Sequence, residues 1–74
     1  MITYKIDYST NDGNYNSLQL SDKDDAIYEY EDLVNEHHQP AIVEVIVTEY
    51  YIYGGICQGS QIIKHWNREK GFII

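Results

Sequence analysis

The sequence predicts an α+β fold in which one helix packs on a small antiparallel sheet. The predicted order is β-β-α-β-β, followed by a short C-terminal helix or edge strand. Several segments alternate apolar and polar residues, or are rich in β-branched and aromatic residues, as strands are. Residues 21–38 instead place apolar residues at the spacings of an amphipathic helix. A chain of 74 residues is expected to form one domain, residues 1–74.

A β-hairpin is predicted at the start of the chain. The segment ITYKIDYS, residues 2–9, alternates between apolar and polar side chains, which is typical of a strand with one buried face. The pair Asp12-Gly13 favours a tight turn, because both residue types tolerate positive φ. YNSLQL is then the returning strand, with Leu18 and Leu20 facing the core.

The helix is predicted to begin at Ser21, which stands three residues before Asp24 in a capping-box arrangement. Acidic residues in the first turn also favour a helix, since they complement the positive end of its dipole. One stripe is expected to face the core, and its members are Ala26, Ile27, Tyr30, Leu33, Val34 and His37. Gln39-Pro40 ends the helix, because a residue before proline disfavours the α conformation.

The clearest strand signal is AIVEVIVTEYYIY, residues 41–53, which is rich in β-branched and aromatic residues. Its alternating valines share a face that then reaches a glutamate, so a bulge or bend is expected near Glu49-Tyr50. Gly54-Gly55 predicts a hairpin turn into a further strand that begins at ICQ.

Residues 60–74 are compatible with two structures. In the first, a short helix is capped by Ser60, buries Trp66 and ends at Gly71, which can adopt the left-handed conformation. In the second, GSQIIKHW continues the preceding strand and GFII adds an edge strand. We favour the helix.

The composition indicates a protein partner with a basic surface. Twelve acidic and five basic residues give a net charge of −7, which argues against direct binding to nucleic acid or anionic membranes. Residues 1–49 hold eleven acidic residues and two lysines, a net of −9, whereas residues 50–74 have a net of +2. Eight tyrosines are more than so small a core can bury, and tyrosine is common in protein interfaces.

The sequence also predicts a cytoplasmic protein. It begins without a signal-peptide pattern and has no apolar stretch of the roughly 20 residues that a membrane helix needs. Its one cysteine cannot form an internal disulfide, which fits a reducing compartment.

No pattern in the sequence predicts a catalytic, metal or cofactor site. Asp22-x-Asp24 resembles the start of an EF-hand loop, but the residues after it lack the required glycine and final glutamate. The histidines at 37–38 are adjacent and would point in different directions from a helix, unlike those of HExxH. Cys57 with His65 as its base is the candidate for nucleophilic catalysis, and Cys57 is better explained as a small buried residue. We expect no enzyme activity, no cofactor and no metal.

An acidic row along the predicted helix has two explanations. The row consists of Asp22, Asp25, Glu29, Asp32 and Glu36. Members three or four residues apart repel one another, and the row is expected opposite the buried stripe with Tyr28 on its flank. The row is either a solvated face that keeps the protein soluble, or a copy of a phosphate backbone that docks in a basic groove. In the second case Tyr28 supplies a desolvated anchor.

In size, acidic charge and tyrosine content, the chain resembles small proteins of bacteriophages and mobile elements that inhibit nucleic-acid-binding enzymes, such as anti-CRISPR proteins and DNA mimics. The resemblance implies a non-enzymatic inhibitor, often dimeric, that acts in the host cytoplasm on a protein such as a CRISPR effector. The acidic row and Tyr28, identified from the helix itself, are the expected contacts. The alternative is a structural or interaction subunit that forms homodimers through an exposed strand edge near Tyr50–Tyr53.

Overall fold

A computed structural model describes all 74 residues as one antiparallel sheet of five strands and one helix. The predicted α+β class and the order β-β-α-β-β are confirmed. The elements are β1 (Ile2–Thr10), β2 (Tyr15–Leu20), α1 (Lys23–Asn35), β3 (Ile42–Tyr53), β4 (Ile56–Asn67) and β5 (Gly71–Phe72). The strands lie in the order β2-β1-β3-β4-β5. The helix α1 is neither long nor apolar enough to cross a membrane.

The core lies between α1 and the central strands β1 and β3. Its buried hydrophobic residues are Tyr4, Ile6, Ala26, Tyr30, Leu33, Ile42, Val45 and Val47. The alternation predicted for β1 and β3 is confirmed, since Ile6 pairs with Val47 and both are fully buried. In β2, Leu20 packs against the core, whereas Leu18 is exposed because α1 contacts mainly β1 and β3 and covers little of β2.

The helix begins one residue later than predicted. Asp22 is the N-cap in place of Ser21, and its Oδ1 accepts hydrogen bonds from the backbone N–H groups of Asp24 (2.8 Å) and Asp25 (3.2 Å). Aspartate caps a helix as well as serine does, so the local signal fits either residue.

The helix also ends before the predicted stop at Gln39-Pro40. Glu36 is the C-cap and has an extended backbone, while its N–H still donates to the carbonyl of Asp32. Nε2 of His38 lies 3.2 Å from the same carbonyl oxygen, so the chain after the helix folds back against its last turn. His37 is therefore outside the helix and exposed, and its predicted place in the core is wrong.

Strand β3 continues through Glu49 without the predicted bulge at Glu49-Tyr50. The Glu49 carboxylate stays on the core side because it accepts hydrogen bonds from the hydroxyls of Tyr4 (3.0 Å) and Tyr51 (2.5 Å). The register shifts lie elsewhere, and the bulged residues are Val43 in β3 and Gln58 and Ile63 in β4.

The C-terminal helix that we favoured from the sequence is wrong, and the strand alternative is confirmed. β4 pairs with β3 over its whole length and so satisfies the backbone groups on that side of β3. Trp66 pairs with Val45 and packs against the core. The predicted hairpin turn is present at Gly54 (φ 61°) and Gly55 (φ 76°).

The turn end of the β3–β4 hairpin projects from the body of the protein. We call residues 50–63 the arm; every residue from 53 to 62 is exposed, and the molecule measures 39 × 21 × 19 Å. In β3, residues up to Ile52 are bonded on both sides, to β4 and to β1 or Met1. The exposed strand edge predicted near Tyr50–Tyr53 therefore does not lie there.

Candidate partner-binding surface on the acidic helix

The six residues predicted to bind a partner lie on α1 or at its two ends. The exposed members are Asp22, Asp25, Tyr28 and Glu36, and the half-buried members are Glu29 and Asp32. The helix therefore carries four of the six residues, and the other two, Asp22 and Glu36, are its caps.

The acidic row lies on the flank of α1, and the prediction that it lies opposite the buried stripe is wrong. At about 100° of rotation per residue, Asp25, Glu29 and Asp32 stand roughly 60–120° from the buried Ala26. The flank is close to the sheet, which explains why Glu29 and Asp32 are half-buried. Glu36 departs from the row, because its backbone is extended (ψ 156°).

The outermost face of the helix is centred on Tyr28, whose side chain is 71% exposed. Asp24 and Glu31 are exposed on the same side, and the sequence interpretation missed both. A shallow notch of about 230 Å³ beside the ring is lined by Tyr28, Glu31, Asp32, Asn35 and Glu36. A helical wheel centred on Ala26 and Leu33, instead of on the spacing of the acids, would have placed Asp24 and Glu31 outward. We call the acidic row together with Asp24, Glu31 and Tyr28 the acidic face.

No lysine or arginine forms an ion pair with the acidic face. Its one ionic contact joins Nε2 of His38 to Oδ2 of Asp32 at 3.8 Å. The other two charge contacts of the molecule lie within the sheet. Because no cationic side chain other than His38 contacts the helix carboxylates, their negative potential extends into the solvent.

Two other carboxylates are held by hydrogen bonds within the sheet. The hydroxyl of Tyr51 and then that of Tyr4 hold the pKa of Glu49 below its usual value. Hydrogen bonding to Glu49 raises the pKa of Tyr51, and burial together with the same carboxylate raises that of Tyr4. A hydrogen bond from His65 chiefly lowers the pKa of Glu44, whose Oε2 lies 2.9 Å from the ring Nε2. Both clusters join neighbouring strands.

The residues considered for nucleophilic catalysis are far apart. Cys57 and His65 lie eight residues apart on β4, which at about 3.3 Å per residue separates them by roughly 20 Å or more. Cys57 is exposed and not buried as predicted, and His65 contacts Glu44. The histidines at 37–38 make separate contacts, and no group of three His, Cys, Asp or Glu residues is arranged to hold a metal ion.

A second depression lies between α1 and the C-terminal segment. It has a volume of about 410 Å³ and is lined mainly by apolar residues of these two elements, with Tyr30 among them. The side chain of Tyr30 is 4% exposed, and its buried hydroxyl has no hydrogen-bond partner. Burial raises the pKa of this phenol.

Comparison of the chain with protein-family models, curated proteins and solved structures gave no match. The functional argument therefore depends on the surface itself, where the 13-residue helix presents carboxylates around the exposed ring of Tyr28.

Proposed function

We propose that this protein is a non-enzymatic inhibitor, of the type made by bacteriophages and mobile elements, that binds a basic nucleic-acid site on a host protein such as a CRISPR effector. The observation that carries the proposal is the acidic face, where carboxylates without a lysine or arginine partner surround the exposed ring of Tyr28. The protein then acts in the cytoplasm, where its target is found.

The acidic face has the charge pattern of a nucleic-acid strand. Asp25, Glu29 and Asp32 are four and three residues apart, so they are about 6 and 4.5 Å apart along the helix axis. A nucleic-acid strand likewise presents one negative charge every few ångströms, and lysine and arginine residues neutralise those charges in a binding groove. The helix offers the same groove a regular row of negative charge.

Tyr28 adds an apolar contact surface to the row of carboxylates. Exposed ion pairs contribute little to affinity, whereas a tyrosine that becomes buried in an interface contributes both apolar area and a polar tip. A lysine or arginine of the partner that enters the notch beside Tyr28 would meet Glu31 and Asp32 and could lie against the ring. The charges then govern the rate and orientation of encounter, and the ring governs retention.

The proposal is tested with two variants of equal net charge. The double variant Glu29→Gln/Asp32→Asn and the single variant Glu69→Lys each raise the net charge by two, from −7 to −5, but Glu69 lies in the exposed turn before β5. The wild-type protein is immobilised to capture its partner from a bacterial lysate, with and without excess duplex DNA. The binding constant of the purified partner is then measured for each variant over a range of salt concentrations.

We expect excess DNA to release the partner. The helix variant should bind the partner at least about tenfold more weakly and with a smaller salt dependence. Glu69→Lys should bind almost as tightly as the wild type does. Equal weakening by both variants would show that net charge and not the acidic face matters. A partner that DNA does not displace would show that the helix does not occupy a nucleic-acid site. Either result rejects the proposal.

A further inference from the structure

The outer edge of β4 is open along the arm. β5 pairs only with Trp66 and Asn67, and the C-terminal residues bond only to His65. From Ile56 to Lys64, β4 has a neighbour on one side alone, which is β3. In such a strand every second residue directs its backbone N–H and C=O outward, so this segment presents unpaired hydrogen-bonding groups between and beside its bulges at Gln58 and Ile63.

This edge lacks the charges and prolines by which proteins often block an open strand, although β4 has bulges at Gln58 and Ile63. Natural edge strands carry charges, prolines, β-bulges or inward-pointing lysines, or are very short. Residues 50–63 contain no proline and no Asp, Glu, Lys or Arg, although the chain has a net charge of −7. The arm also exposes large apolar side chains, namely Tyr53, Ile56 and Ile62.

We propose that two copies of this chain associate through antiparallel pairing of β4 with β4 along residues 56–64, which joins the two sheets into one. A second copy is the occupant that the charges favour, because the arm is uncharged and two arms can meet without the repulsion that opposes contact elsewhere on this acidic protein. Lys64, the one charged residue of the paired segment, lies at its end and would be opposite the uncharged residue 56 of the second copy. Pairing a strand with its own copy is self-complementary, so it closes as a two-fold dimer.

The other open edge, β2, is less suited to such pairing. Asp12 precedes this strand, and Asp22 and Asp24 follow it. An antiparallel β2–β2 contact would bring the Asp12 end of one copy against the Asp22 end of the other, and like charges in such positions are destabilising. β4 is thus the edge at which like charges oppose association least.

The middle of the open segment fixes the expected register. Ser60 is equidistant from residues 56 and 64 and lies between the two bulges, so the two-fold axis is expected to pass beside it, with Ser60 opposite its own copy. The axis is perpendicular to the joined sheet. Both helices therefore lie on the same face, and the dimer presents two acidic faces to the same side.

The first experiment measures the oligomeric state of the purified protein by sedimentation over a wide concentration range. Two variants each place a lysine at a partly exposed aliphatic residue of an edge strand, Ile62→Lys on β4 (46% exposed) and Leu18→Lys on β2 (38% exposed). We expect a wild-type dimer, a dissociation constant raised about tenfold or more by Ile62→Lys, and no change beyond about twofold with Leu18→Lys. Circular dichroism establishes that both variants are folded.

The second experiment tests the register. In a Cys57→Ser background, Ser60→Cys places two thiols across the axis, where the Cα–Cα separation of about 4.5–5.5 Å in an antiparallel pair permits a disulfide. We expect a covalent dimer on mild oxidation, and none for the matched variant Ser17→Cys on β2. A wild-type protein that stays monomeric at every concentration, or equal effects of the β2 and β4 variants, rejects the proposal. The acidic face takes no part in these measurements, so their failure leaves the proposed function untouched.

Discussion

The substitution Tyr30→Phe should stabilise the protein. The hydroxyl of Tyr30 is buried without a hydrogen-bond partner, while the ring packs in the core. A buried polar group left unsatisfied costs about 1–3 kcal/mol, and removal of its oxygen forfeits only a small part of the packing. We expect the free energy of unfolding to rise by about 1 kcal/mol, which corresponds to a melting temperature higher by roughly 4–8 °C in a domain of this size.

Urea denaturation followed by the fluorescence of Trp66, the one tryptophan of the chain, measures this change, because Trp66 packs against the core. The matched control is Tyr4→Phe, since Tyr4 is also buried but its hydroxyl donates to Glu49. This control should destabilise the protein, because a hydrogen bond to a carboxylate is lost. A Tyr30→Phe variant that unfolds more easily than the wild type would refute the reasoning, as would the same sign of change in both variants.

Three further substitutions test the other interactions that hold the fold. Ile6→Ala should lower the free energy of unfolding by about 3 kcal/mol in the same assay, because Ile6 is fully buried. Asp22→Ala should cost about 1 kcal/mol and shorten the helix by circular dichroism, since two backbone N–H groups lose their acceptor. The pKa of Glu49 is lowered from 4.5 in the folded protein, so its hydrogen bonds stabilise the fold above this value and are lost as the pH falls through the lowered pKa. The stability of Glu49→Gln should therefore decline less than that of the wild type between roughly pH 6 and pH 3.

The elements with one clear periodicity could be predicted from the sequence, whereas the C-terminal region could not. ITYKIDYS alternates strictly and forms β1, and residues 23–35 have the apolar spacing of a helix. Ile63 and Trp66 are three residues apart, as on one face of a helix, and both pack against the core from β4 because the bulge at Ile63 shifts the alternation of the strand. Residues 56–67 form a strand because the backbone groups on the second side of β3 need hydrogen-bond partners. That requirement comes from β3 and is not visible in the sequence of residues 56–67 itself.

Glu49 shows a second limit of prediction from sequence. A glutamate on the core face of a strand suggests a break in the alternation, since a buried charge is costly without partners. Its partners are the hydroxyls of Tyr51 and Tyr4, and Tyr4 is 45 residues away in the chain. The alternation therefore continues where the charge pattern indicated a bulge.

In the candidate site, residue types could be predicted better than orientations. The acids were identified by their spacing, but a four–three–four spacing describes any stripe along a helix and does not say which way the stripe faces. The direction follows from Ala26, Tyr30 and Leu33, which contact the sheet and turn Asp24 and Glu31 outward. The buried face of such a helix must therefore be located before the residues that could bind a partner can be identified.

The acidic face has two possible explanations, solubility and partner binding, and the distribution of charge along the chain favours partner binding. If the acids served solubility alone, they would be most useful on the arm, where an open edge and exposed isoleucines favour association. They are instead concentrated on α1, at spacings where like charges repel each other, and the arm has none. Repulsion between the helix carboxylates lowers the stability of the fold. The arm has no charged residue, although charges there would protect its open edge. Both facts are expected if the two regions have the separate roles that we propose, in which the helix binds a basic partner and the arm binds a second copy.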